Sequence, residues 1–196
     1  VSSVRPLANG VMIENEAGIK GEFDYAVIAT QANQTSFLGH EYQPERELLN
    51  RFVFDSGELY LHRDERVMPK NPKDWSVLSY LMDDQLDSAM FSVWVNPVEP
   101  SLRNANPIFQ TWNPIIPIAP ERLISRIRLE RAVVTKSTLS AQRDLTSINQ
   151  QSDRRVFFCG SWSFPGIPLL ESAARSAIQI VRRIGGQNSF LEKSDA

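Results

Sequence analysis

The chain has 196 residues, 42% of them hydrophobic and 22% charged, with a formal net charge of −2 at pH 7. This composition indicates a globular protein with a sizeable core, and the near-neutral charge gives no basis for binding nucleic acid. No apolar stretch reaches the ~20 residues of a membrane span, and the single cysteine permits no internal disulfide, so we expect a cytoplasmic protein without a transmembrane segment.

The first stretch of the chain, from Val4 to Leu38, carries strand signals. Residues 10–14 (Gly-Val-Met-Ile-Glu) predict a short strand, and residues 15–18 (Asn-Glu-Ala-Gly) predict a turn. Residues 25–30 (Tyr-Ala-Val-Ile-Ala-Thr) form a compact run rich in β-formers, which favours a strand covered on both faces. A helix is expected from Pro44 to Phe52.

The middle of the chain, from Glu58 to Asn149, predicts mainly strands. Prolines punctuate its second half, and they mark strand ends and loops because proline fixes φ and donates no backbone hydrogen bond. The predicted strands cover residues 58–62, 75–82, 90–95, 108–112 and 126–134, and a helix is predicted over residues 137–148.

The last stretch combines a strand, a glycine-containing loop and a helix. Residues 156–160 (Val-Phe-Phe-Cys-Gly) predict a buried strand, and residues 161–166 predict a loop. Apolar and small residues then recur at helical spacing from Leu170 to Ile184. Pro168 suits the first turn of this helix, and Gly185 suits its end.

The two ends of the chain carry signals of their own. It begins Val1-Ser2-Ser3, with no Met, no basic leader and no signal-type apolar region, so we expect its true beginning to lie upstream. Residues 187–196 are polar, and we expect a frayed tail there.

The last stretch also carries a motif. A strand, a glycine loop and a helix can form an ordinary βα unit, or can present N–H groups and a positive helix end to a ligand. Residues 156–162 (Val-Phe-Phe-Cys-Gly-Ser-Trp) and 166–177 (Gly-Ile-Pro-Leu-Leu-Glu-Ser-Ala-Ala-Arg-Ser-Ala) resemble the terminal flavin-contacting motif of the flavin amine oxidase and phytoene desaturase superfamily. In that family a strand ends in Phe-x-Gly, a loop crosses the flavin, and a helix begins under the isoalloxazine ring.

Two other parts of the chain resemble segments of the same superfamily, and the segments follow one another along the chain in the order that the family has. The first is similar to the family's segment after the substrate-domain excursion, and the second to a bacterial and fungal subgroup of FAD- or NAD(P)-binding amine oxidase-like proteins. The resemblance covers about residues 4–184. The segments are residues 2–7, 10–15 and 23–30 for the first part, and residues 61–70, 93–96 and 109–114 for the second.

The resemblance implies an α/β fold. A partial FAD/NAD(P)-binding Rossmann-like domain, lacking its N-terminal βαβ, would carry an inserted α+β substrate domain. Residues 1–40 and 151–186 would belong to the FAD-binding domain, residues 41–150 to the substrate-binding domain, and residues 187–196 to the tail.

The resemblance also implies an FAD-dependent oxidoreductase of the amine oxidase type. A hydride would leave a substrate C–H bond for flavin N5, and the substrate would be a small amine or a lipid-like molecule. No catalytic residue and no metal site is assigned. Flavin contacts are expected at Gly160, Ser161, Gly166, Leu169, Leu170 and Glu171, and adenosine contacts at Val4 and Thr30.

Two departures from the family pattern limit what the chain is expected to do alone. The Gly-x-Gly-x-x-Gly pyrophosphate loop and the ribose-binding acid are absent, and Ser161 stands where the family often has a carboxylate. Losing several charge-assisted hydrogen bonds weakens affinity by orders of magnitude. We therefore expect the missing N-terminal half of the protein as a partner, and an isolated fragment that associates, binds FAD weakly and is inactive.

Two other functions stay open. The protein could be a desaturase or isomerase acting on a lipid-like substrate, in which case residues 114–118 (Pro-Ile-Ile-Pro-Ile) would line an apolar opening. It could also be a non-catalytic flavoprotein-like binding module. Resemblance in fold does not fix the substrate.

Several single residues have both a structural and a functional interpretation. Cys159 is either a small buried hydrophobe or a covalent flavin anchor, and His62 is either structural or a base near the substrate. Glu171 either complements the helix dipole or lies near the flavin. The two histidines and the cysteine show no metal-ligand spacing. Four aromatic residues could line a flat pocket or pack in the core: Trp75, Tyr80, Trp94 and Trp112.

Overall fold

The structure is a computed structural model of the chain, and it describes residues 1–85 and 87–186. The tail predicted over residues 187–196 lies outside the described residues. The chain divides into two compact units. Unit 1 comprises Val1–Phe54 and the chain from Ala132 onward, and unit 2 comprises Asp55–Arg131.

Ten strands and three α-helices follow one another along residues 1–85 and 87–186, joined by turns and short 3-10 helices. The strands are β1 (Ser3–Leu7), β2 (Gly10–Glu14), β3 (Lys20–Phe23), β4 (Ala26–Ile28), β5 (Val53–His62), β6 (Leu78–Met82), β7 (Ala89–Trp94), β8 (Phe109–Trp112), β9 (Leu123–Val133) and β10 (Val156–Phe158). The helices are α1 (Gln43–Leu49), α2 (Lys136–Asn149) and α3 (Leu170–Arg183).

The first three strands form a small antiparallel sheet in unit 1, in the order β1-β2-β3. The turn between β2 and β3 is built on Asn15, whose side-chain oxygen accepts hydrogen bonds from the N–H groups of Ala17 and Ile19. Gly18 completes the turn at φ 74°, a backbone conformation that glycine adopts without strain. The strand and the turn predicted over residues 10–18 are confirmed.

A parallel pair, β4 and β10, forms the second sheet of unit 1, with Val27 opposite Phe157. β10 is buried throughout, as predicted, because one side packs on the main core of the unit and the other on Ile180 of α3. Val27 of β4 is exposed, so the expectation of a strand covered on both faces is wrong for β4.

The helices lie close to their predicted positions. A capping box starts α2, in which Thr135 and Thr138 each accept a hydrogen bond from the other's N–H. Ala141 and Leu145 then bury one side of α2 in the core. The helices predicted over residues 44–52, 137–148 and 170–184 are confirmed to within a few residues. No helix within the described residues is both long and apolar enough to cross a membrane.

Unit 2 is built on a five-stranded sheet in the order β6-β7-β8-β5-β9. β7 pairs antiparallel with both β6 and β8, and β8 pairs antiparallel with β5. One side of the sheet packs against a core that contains Met68, Met90 and Phe109. The strands predicted between residues 58 and 134 are confirmed, with shifted ends.

The predicted α/β fold is wrong. The chain is 31% strand and 29% helical, mostly in small antiparallel sheets with three short helices, and the described residues show no alternating βαβ series of a Rossmann-like domain with an inserted α+β domain. The parallel pairing of β4 with β10 covers only three residues of each strand. The physical reason lies in the connections: parallel neighbours need a crossover of a dozen or more residues, whereas short turns join β1 to β2 and β6 to β7, which therefore pair antiparallel.

Candidate functional site

The carboxyl ends of β4 and β10 meet at one edge of unit 1. The N–H of Cys159 donates to the carbonyl of Ile28 at 3.0 Å, which continues the parallel pairing to the end of both strands. Beyond it, the indole N–H of Trp162 donates to the carbonyl of Thr30 at 3.1 Å. The structure therefore brings Thr30 together with the turn that contains Gly160 and Ser161. Such an edge is where α/β proteins place ligands.

Gly160 forms the turn after β10, at φ 148°. Its N–H donates to the hydroxyl of Ser176 at 2.9 Å, and its carbonyl accepts from the hydroxyl of Ser163 at 2.8 Å. A Cβ at this position would lie 2.6 Å from the indole nitrogen of Trp162. Gly160 is therefore required by the packing of the turn, and its peptide groups are engaged within the chain.

The loop after this turn leads to the start of α3, and it has free space beside its backbone at Gly166. Gly166 has φ 105°, and a Cβ there would meet nothing within 4 Å. Leu169 occupies the cap position of α3, and no side chain caps the helix. The first N–H groups of a helix have no partner within it and carry the positive end of its dipole. Ile167, Leu169 and Leu170 are exposed around this start, Leu170 by 91%.

Two polar residues flank the start of α3. Glu171 is exposed, and its carboxylate accepts from Arg175 one turn later at 2.7 Å. This exposed ion pair lies on the surface of α3 and gives the Glu171 carboxylate a partner within the helix. Ser161 is half-buried, and its hydroxyl makes no hydrogen bond to any part of the chain that the structure describes. Its hydroxyl is therefore available to a ligand.

Val4 lies in different surroundings and is 2% exposed. Its N–H donates to the carbonyl of Phe37 at 2.9 Å, and its carbonyl accepts from the N–H of Gly39 at 3.4 Å. Both peptide groups are thus engaged, and Val4 has no free backbone group to offer an adenine. The structure gives the predicted adenosine contact at Val4 no support.

Gln142 shapes the site but was not predicted from the sequence. The amide of Gln142 on α2 donates to the carbonyls of Trp162 and Phe164, both at 2.9 Å, and holds the turn in place. Its amide oxygen is buried without a partner among the described residues. The one sequence signal is an amide on the buried stripe of α2, beside Ala141 and Leu145.

The groups at this edge fit one end of FAD better than the other. The uncapped N–H groups of α3, the free Ser161 hydroxyl and the exposed apolar residues match the polar edge and the flat face of a flavin ring. The adenosine end finds no such match at Val4. A cavity of only about 10 Å³ lies beside Ser161, so a ring would rest on the open surface at the start of α3.

Cys159 and His62 both have structural surroundings. Cys159 is buried with Phe157 and Ile180, and burial raises the pKa of its thiol. His62 in unit 2 is fully buried: Nδ1 accepts from the N–H of Asp64 at 3.1 Å, and Nε2 lies 2.8 Å from the hydroxyl of Thr111. With both ring nitrogens engaged, His62 has no access to a substrate.

The aromatic residues of unit 2 do not form one pocket. Trp75 packs edge-on against Trp94 and Phe109 in the core. Tyr80 is exposed and stacks on Phe91, and the Trp112 ring carries the guanidinium of Arg131. The core interpretation therefore suits Trp75 and Trp94, and the flat-pocket interpretation finds no set of four rings.

No protein-family model matches the chain, and no curated protein matches it at a significant level. The resemblance to the flavin amine oxidase and phytoene desaturase superfamily therefore stays a prediction from its sequence motifs. The edge formed by β4, β10 and the start of α3 is the part of unit 1 where most of the predicted site residues come together.

Proposed function

We propose that residues 160–171 bind the flavin ring of FAD in an oxidoreductase of the amine oxidase type. One observation carries this proposal: the start of α3 has no side-chain cap, and it lies among exposed apolar side chains shortly after the end of β10. Free N–H groups and a positive helix end suit the electron-rich N1–C2=O edge of a flavin. Apolar side chains suit the face of its ring.

The residues at this edge would bind and orient the ring. When bound, FAD supplies the acceptor for a hydride from a substrate C–H bond. Leu169 and Leu170 keep water from the covered side of the ring, and the Ser161 hydroxyl can donate a hydrogen bond to it. We assign no catalytic base, because oxidation of an amine needs little more than a deprotonated substrate beside the ring.

The motifs leave the substrate open between a small amine and a lipid-like molecule, and we propose the amine. A lipid-like substrate would need an apolar opening at residues 114–118. Ile115, Ile116 and Ile118 pack instead against the core of unit 2, so no observation favours that alternative. A non-catalytic binding module would use the same ring contacts and would differ in showing no turnover.

Flavin titration tests the ring contact. We expect the chain to quench the fluorescence of riboflavin and of FAD with similar, weak affinity, because the two ligands share the ring and the sequence lacks a pyrophosphate loop. Leu170→Asp should weaken both at least tenfold, about 1.4 kcal/mol, because it sets a carboxylate against the electron-rich ring.

Leu139→Asp is the matched control, since Leu139 is an exposed leucine on α2, outside this edge. It should leave both affinities unchanged. The proposal fails if neither flavin is quenched at the highest protein concentration reached, or if the two variants weaken binding equally.

A further inference from the structure

Unit 2 has one covered and one uncovered sheet face. Residues directly opposite each other in an antiparallel sheet lie on the same face. Thr111 lies opposite Ser92, and Phe109 lies opposite His62. All four are buried, so they mark the face that packs on the core, called here the inner face.

The other side of the sheet, the outer face, carries an apolar row. Tyr80 lies opposite Phe91, Phe91 opposite Trp112, and Trp112 opposite Leu59. This row crosses four of the five strands, β6, β7, β8 and β5. Three neighbouring aromatic residues thus point to the same side.

Two cation–π contacts show which side chains of β9 lie on the inner face and which lie on the outer face. The guanidinium of Arg126 lies 5.8 Å from the ring centre of Tyr60, which is on the inner face, and that of Arg131 lies 5.2 Å from the ring centre of Trp112. Side chains alternate along a strand, so Ile127 shares the outer face with Arg131. Ile124 shares the inner face with Arg126.

The two sides of the outer face are open to solvent, whereas Leu59, Phe91 and Trp112 in its middle are half-buried. Tyr80 is 73% exposed and Ile127 is 54% exposed, and Leu78 and Met82 on the edge strand β6 are also exposed. Scattered exposed apolar residues are normal, but a contiguous apolar face usually marks an interaction site.

We propose that the outer face binds the outer face of a second copy of this chain. Five strands ~4.8 Å apart, with about five residues of ~3.4 Å each, make the face ~24 Å by ~17 Å. This flat area is ~410 Å², about half of the about 800 Å² that each partner buries in a standard interface. The longer strands β5 and β9 and the relief of the side chains add to it. Two such faces can pack as in a β-sandwich, with the sheets ~10 Å apart.

The charges on the outer face are self-complementary. By the alternation along β5 and β9, its strand positions carry one acid, Asp55, and one base, Arg131, both exposed. In a dimer with two-fold symmetry, each contact between two different residues occurs twice. Asp55 of each copy can therefore pair with Arg131 of the other, and no like charges need to meet.

The oligomeric state of the 196-residue chain tests this inference, independently of the flavin proposal. We expect light scattering to give twice the mass of one chain. Ile127→Glu should weaken the dimer at least about a hundredfold, because it buries an unpaired carboxylate in the interface. Ile124→Glu makes the same change on the inner side of the same strand and should leave the dimer intact.

A charge exchange keeps the inference testable if Ile127→Glu fails to fold. Asp55→Arg alone should weaken the dimer, and Asp55→Arg combined with Arg131→Asp should restore it. A monomer or an open-ended aggregate of the unaltered chain would overturn the proposal. A folded Ile127→Glu variant that remains a dimer would also overturn it. So would an unaltered chain that is monomeric and cosediments with phosphatidylcholine vesicles, because a lipid surface would then be the partner.

Discussion

At the scale of single residues, Gly160 shows how a motif glycine can serve the fold. Its positive φ demands glycine, and so does the 2.6 Å that would separate a Cβ from the indole nitrogen of Trp162. Its peptide groups are held by Ser163 and Ser176. The glycine of the predicted flavin motif therefore fixes the turn that sets the direction of the following loop.

Replacing Gly160 tests this interpretation. Gly160→Ala should lower the free energy of unfolding by about 1–3 kcal/mol for the strained backbone, with an added cost from the contact with Trp162. Gly166→Ala is the matched control, because Gly166 also has a positive φ but has open space around it. Urea denaturation of both variants measures the difference, and equal losses would mean that the contact with Trp162 does not matter.

His62 is the residue whose burial predicts a pH effect. Burial lowers the pKa of its ring from the ordinary value of 6.5, against a smaller raising effect from Asp64. In the unfolded chain, the His62 ring therefore takes up a proton near pH 6.5. In the folded chain, the ring takes up a proton only at a lower pH. Below that pH the unfolded state binds more protons, so the free energy of unfolding should fall by up to about 1.4 kcal/mol per pH unit.

Denaturation between pH 7.5 and about 5 checks this prediction. His62→Gln should remove the part of the pH dependence of the unfolding free energy that this group contributes. His40→Gln should leave that pH dependence unchanged, because the ring of His40 is exposed. A slope that survives in His62→Gln would show that other groups cause it. Stability that rises as the pH falls through this window would contradict the sign.

At the scale of elements, a side chain closes the edge of β10 that faces away from β4. The side chain of Asn149, at the end of α2, donates to the carbonyl of Phe158 at 2.9 Å and accepts from its N–H at 3.2 Å. The amide of Asn149 thus replaces a neighbouring strand. Such closure removes an edge at which another chain could pair.

Asn149→Ala should open this edge. We expect a loss of about 1–3 kcal/mol in the free energy of unfolding, because the buried peptide groups of Phe158 lose both partners. Ser147→Ala, on the same helix, should change stability little, because its hydroxyl bonds only within the helix. Thermal unfolding with light scattering measures both effects, and an unchanged stability in Asn149→Ala would show that water replaces the amide.

Local patterns are enough to predict most elements, and long-range pairing is not. The helical spacing of small and apolar residues predicts α3, and the run Val-Phe-Phe predicts β10. The direction in which strands pair depends on connections and partners far along the chain, so the sequence led to an α/β fold where small antiparallel sheets form. The same limit applies to the site: Trp162 reaches Thr30 across 132 positions, and no local pattern signals that contact.

At the scale of the whole molecule, the two units carry different surfaces. Unit 1 presents the edge of β4, β10 and α3 with its uncapped helix start, and unit 2 presents an apolar sheet face. The residues predicted to contact the flavin, within 160–171, lie in unit 1 together with Thr30, which was predicted to contact the adenosine. The peptide groups of Val4, the other predicted adenosine contact, are engaged by its neighbours in the chain. We therefore propose that unit 1 binds the ligand and that unit 2 mediates association.

Amide NMR of the chain titrated with riboflavin can locate a flavin ring at the start of α3 residue by residue. We expect the largest shift changes on the backbone N–H groups of Leu170, Glu171 and Ser172, because these groups lie in the uncapped first turn. Smaller changes should fall on Ser161 and Gly166. Shift changes confined to other parts of the chain, or none at saturating riboflavin, would contradict a flavin site at this helix start.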